Sequence, residues 1–66
     1  MSREQFTNDV IMFSRITRVA CVASLFNCTI DQLIDDAYNN EFDDFIIESV
    51  NDFNDFIDHC FMHYVH

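Results

Sequence analysis

A chain of 66 residues has room for one domain. A domain of that size buries only about 60% of the surface its unfolded form exposes, yet half of the residues are apolar and eight are Phe. The net charge of −9 argues against direct binding to nucleic acid or anionic membranes and favours basic surfaces as partners, while the absence of Gly and Pro makes a many-turned β fold improbable.

The charge is unevenly placed. Residues 1–30 hold Arg3, Arg15 and Arg18 against Glu4 and Asp9, whereas residues 31–66 hold ten acids and no Lys or Arg. The three Cys, at 21, 28 and 60, form no CxxC pair, which indicates free thiols in a reducing compartment and a cytoplasmic location.

Ser2 followed by Gln5 is a capping-box pattern and predicts a first helix from near Arg3. From Val10 to Phe26 most residues are apolar, interrupted by Ser14, Arg15, Thr17, Arg18 and Ser24. A helix apolar over most of its circumference is normally buried, so the expectation is a central core helix. Arg15 and Arg18 break the run too early for a membrane span, which needs about 20 apolar residues. Glu4, Asp9 and the lack of a small-x-small cleavage pattern argue against an export signal.

Thr29 with Gln32 is a second capping box, opening a helix from Ile30 to about Tyr38 that turns Leu33, Ile34 and Ala37 inward. Asp31 suits its first turn through the helix dipole. Asn27, Asn39 and Asn40 fall where turns are wanted, and Asn is the best substitute for Gly at positive φ.

Residues 40–64 read as one long amphipathic helix. Ile46, Val50, Phe53, Ile57, Cys60 and Tyr64 recur at helical spacing, flanked by Phe42, Phe56 and Phe61. Glu41, Asp44, Glu48, Asp52, Asp55 and Asp58 project to the opposite side. Local propensity is poor, so packing must hold this helix together, and Ser49–Asp52 is its weakest point, where Ser49 could cap a separate last helix. The expected architecture is a single all-α domain over residues 1–66 with three helices, a four-helix variant following if that point breaks.

Two surfaces of the last helix are candidates for function. Carboxylates one turn apart are about 5–6 Å apart, near the roughly 6–7 Å between phosphates of one DNA strand. Asp44, Glu48, Asp52, Asp55 and Asp58 could therefore present anions to a basic partner, such as the nucleic-acid site of an enzyme, and inhibit or modulate it. Solubility alone would explain an acidic face but does not require the near absence of cations. Alternatively Phe45, Phe53, Phe56 and Phe61 are anchors in a partner's groove or a homodimer interface, with the acids serving solubility. A homodimer is expected, because so apolar a chain leaves surface uncovered.

The remaining constellations point to no chemistry. His59 and His63 at i, i+4 could share zinc, but no HExxH pattern surrounds them, Cys60 faces the other way and His66 is terminal, so neither metal nor cofactor is expected. Thr29 to Val50 resembles a helix-turn-helix superficially, yet its recognition helix would carry Glu41, Asp43, Asp44 and Glu48 against phosphates. Cys60 and His63 lack a third, orienting group, so no enzyme is expected. In composition, and by no motif, the chain resembles small virus- or phage-encoded accessory proteins, which implies the cytoplasm of a host cell.

Overall fold

The structure, a computed structural model, describes residues 1–64. It is all-α, with helices α1 (Arg3–Phe13), α2 (Ile16–Leu25), α3 (Ile30–Tyr38) and α4 (Val50–Tyr64). Every helix contributes to the core: Phe6 and Val10 from α1, Val19, Val22 and Ala23 from α2, Leu33, Ile34 and Ala37 from α3, and Phe53, Phe56, Ile57 and Cys60 from α4. The most extensive contact joins α2 to α4, while α1 lies against α3 and α4.

Two of the expected long helices are broken. Residues 10–26 do not form one central helix, because α1 ends at Ser14, whose backbone is extended at φ −94°, ψ 164°. The Ser14 hydroxyl and backbone N–H both donate to the Val10 carbonyl, closing the last turn instead of extending it. The break lets α2 swing onto α4, and it strands Ile11, Met12, Phe13 and Ile16 on the surface instead of burying them.

Nor do residues 40–64 form one helix. The chain leaves α3 at Asn39–Asn40, runs irregularly over residues 41–49 and becomes helical at Val50. Ile46, expected on the apolar stripe, is 74% exposed as a result. Three attachments hold the irregular segment: Phe42 and Phe45 pack on Phe56, Ile47 is buried, and the Ile47 N–H donates to Asn40 Oδ1 at 2.8 Å. Ser49 does cap a separate last helix. Its Oγ accepts from the Asp52 N–H at 3.3 Å, and Asp52 Oδ2 accepts from the Glu48 N–H at 3.2 Å and the Ser49 hydroxyl at 3.1 Å.

The other ends follow the sequence closely. Ser2 Oγ accepts from the Gln5 N–H at 3.2 Å, and Thr29 and Gln32 exchange both bonds of a capping box, at 3.1 and 2.9 Å. Helices α2 and α3 both end in a Schellman turn. At α2 the Cys28 N–H reaches the Ala23 carbonyl and the Asn27 N–H that of Ser24; at α3 the Glu41 N–H reaches Asp36 and the Asn40 N–H reaches Ala37. The left-handed residue of each turn is Asn, with φ 56° at Asn27 and 55° at Asn40. With no Gly in the chain, Asn is the residue that takes this conformation at least cost.

Candidate functional site: an acid-rimmed aromatic groove

Beside α4, the irregular segment and the end of α2 enclose a groove of about 270 Å³. Phe26, Phe42, Phe45, Phe56 and Tyr64 supply its aromatic walls, and Glu41, Asp43 and Asp44 its acidic rim. The run Glu41-Phe42-Asp43-Asp44-Phe45 builds most of it, because irregular backbone lets the two Phe turn inward while the acids stay exposed.

The rings brace one another. Phe42 lies 4.0 Å from Phe56 between centroids, Phe45 meets Phe56 edge-on at 5.3 Å, and Phe26 contacts Phe42, Phe56 and Tyr64 at 6.3–6.5 Å. Such pairs contribute roughly 0.5–1.5 kcal/mol beyond the area they bury, so the walls are stiff. His59 extends the row, 5.2 Å from Phe45 and 4.3 Å from His63. The floor includes Cys60, whose thiol is pushed up from its ordinary pKa by burial, which keeps it a neutral, unreactive lining group. A larger hollow of about 420 Å³ lies between α2 and α3, but small and uncharged side chains such as Ala20, Ser24 and Thr29 line it, so it lacks the charge that would orient a ligand.

The five acids read as one helical face have separate fates. Asp44 is exposed on the groove rim and Glu48 lies in the irregular segment, so neither belongs to α4 and the one-turn spacing does not hold for them. Asp52 is committed to capping α4. Asp58 receives the Arg18 guanidinium at 2.7 Å. Asp55 is exposed on α4 and makes neither a hydrogen bond nor an ion pair among the described residues.

The apolar set divides as well. Phe53 is fully buried, edge-on to Phe6 at 5.9 Å, and Phe56 is buried under the groove. Phe61 is half-buried beneath Arg18, whose guanidinium sits 4.6 Å above its ring. Phe45 also lines the groove, where it is half-buried. The Phe stripe is thus occupied by the protein's own helices.

Two of the three Arg are also committed. Arg18 bridges α2 to α4, and Arg3 bridges α1 to α3 by bonding Asp35 and, at 3.2 Å, Asp31. Those two carboxylates, Asp35 foremost, raise the Arg3 pKa above its ordinary value. Arg15 is exposed and pairs with no acid among the described residues.

Sequence reasoning missed Glu41 and Asp43 as rim and Phe26, Phe42 and Tyr64 as walls. The alternation of acid and Phe over residues 41–45 was the available signal, and reading it at helical period spread these residues around a cylinder. Among the described residues no group of three or more His, Cys, Asp or Glu converges on a metal position, and His66 lies outside them. No helix among them is long and apolar enough to cross a membrane. No family model, curated protein or solved structure matches this chain.

Proposed function

We propose that this chain is a protein-binding module that takes a basic segment of a partner into the acid-rimmed aromatic groove. One observation carries the reading: Glu41, Asp43 and Asp44 stand uncompensated around stiff aromatic walls, while Asp31, Asp35, Asp52 and Asp58 are bound within the fold. A Lys or Arg side chain fits such a place twice over, its alkyl stem along the rings and its cationic head among the carboxylates. Asp55 and Glu48, exposed near α4, extend the negative field that steers the encounter.

The sharper form of the proposal makes the bound segment part of a nucleic-acid-binding surface, so that the module inhibits or modulates an enzyme by competing with DNA or RNA. Affinity capture from extract of the source cell, eluted in salt steps with and without competing duplex DNA, tests both levels. A partner that elutes at moderate salt and is lost to an Asp44→Lys/Asp55→Lys variant supports the module, and displacement by DNA supports the sharper form. A partner that survives high salt and binds the variant equally overturns the electrostatic reading.

A further inference from the structure

The break at Ser14 leaves a knob at the junction of α1 and α2. Met12 and Phe13 are 72% and 67% exposed there, with Ile11 and Ile16 beside them and Arg15 between. Residues 10–30 contain no carboxylate, and Arg15 at this corner is the arginine left unpaired among the described residues. The groove has the complementary character in each respect: aromatic walls for Met12 and Phe13, and three carboxylates for Arg15.

The two cannot meet within one chain. Ile16 begins α2 and Phe26, a groove wall, follows its end, and ten helical residues separate them by about 15 Å. We infer that the corner of one copy docks in the groove of a second copy, head to tail. The symmetric alternatives are electrostatically worse. Corner against corner brings two Arg15 together, and groove against groove brings two acidic rims together. A heterologous contact of this kind leaves a free corner and a free groove at its ends, so it closes into a ring or grows into a chain. One corner in one groove is a small interface, so the association is weak and depends on concentration. It also covers the groove proposed above for a partner, which makes self-association and partner binding competitive. The inference itself rests on the corner and the groove alone and holds without any partner.

Sedimentation velocity on the pure 66-residue chain tests it, with no other protein present, so its outcome is independent of the capture experiment. The expected result is a mass that rises with protein concentration at about 0.15 M salt, where the net charges of two copies are screened beyond about 8 Å while the close contact of Arg15 with the rim is screened less. Arg15→Glu and Asp43→Lys/Asp44→Lys, all at exposed positions, should each remain monomeric with unchanged helical circular dichroism. Mixed in equal amounts, the two variants should associate, because one retains an intact groove and the other an intact corner. A wild-type chain that stays monomeric at about 500 µM overturns the inference. Variants that associate as well as the wild type also overturn it, in favour of a symmetric apolar contact.

Discussion

Asn27 and Asn40 occupy the same place in the same motif, and the difference between them lies in the side chain. Each ends a helix at positive φ, a conformation that Gly adopts without the Cβ penalty. The Asn27 side chain makes no hydrogen bond within the described residues, whereas Asn40 Oδ1 accepts the part-buried Ile47 N–H at 2.8 Å. Asn27→Gly should therefore stabilise the fold slightly, by about 0.5 kcal/mol, through relief of the left-handed backbone. Asn40→Gly gains the same relief but orphans the Ile47 donor, which costs roughly 1–3 kcal/mol, so its net effect should be destabilising. Urea midpoints of the two variants check this directly. Shifts of the same sign would mean that the bond to Ile47 does not hold the 41–49 segment.

At the scale of elements, helix ends were more legible than helix lengths. Ser2, Thr29, Gln32 and Asn27 were readable as caps and turn because their chemistry acts over three or four residues, within reach of a sequence pattern. The division at Ser14 was not readable, since neither Gly nor Pro marks it and its reward is the packing of α2 on α4. The 41–49 segment is illegible in the sequence for a related reason. Its Phe and Ile satisfy a helical period, while the contacts that pin it outside a helix, Phe42 on Phe56 and Ile47 in the core, come from residues distant in sequence. The groove was hidden with it, because acids and rings assigned to opposite faces of one helix share a single concavity. What separates segment from helix locally is the cap at Ser49. Ser49→Ala should cost about 1 kcal/mol in urea denaturation and speed hydrogen exchange of the Phe53 amide, which bonds to the Ser49 carbonyl. Unchanged exchange at Phe53 would show that Asp52 or the packing of Phe53 alone fixes where α4 begins.

Across the whole molecule, charge and stability pull against each other. Arg3 and Arg18 each spend their charge tying two helices together, yet twelve acids face three cations, and three carboxylates unpaired among the described residues, Glu41, Asp43 and Asp44, crowd one rim. Self-repulsion of that kind weakens the compact state and is relieved by screening. The melting temperature should accordingly rise with added salt, even though salt weakens the arginine bridges, because those bridges are half-exposed and contribute little each. Asp43→Asn/Asp44→Asn isolates the rim, since Asn keeps the turn chemistry of these positions and removes only the charge. At low salt this variant should melt a few degrees higher than the wild type, the scale expected when a domain of this size gains a fraction of a kcal/mol, and the difference should vanish near 0.5 M salt. The same variant should bind a basic partner more weakly. Gain of stability with loss of binding is the signature of acids kept for function at a cost to the fold. A lower melting temperature at every salt concentration would instead mean that the two carboxylates hold the turn, and the rim would then be structural.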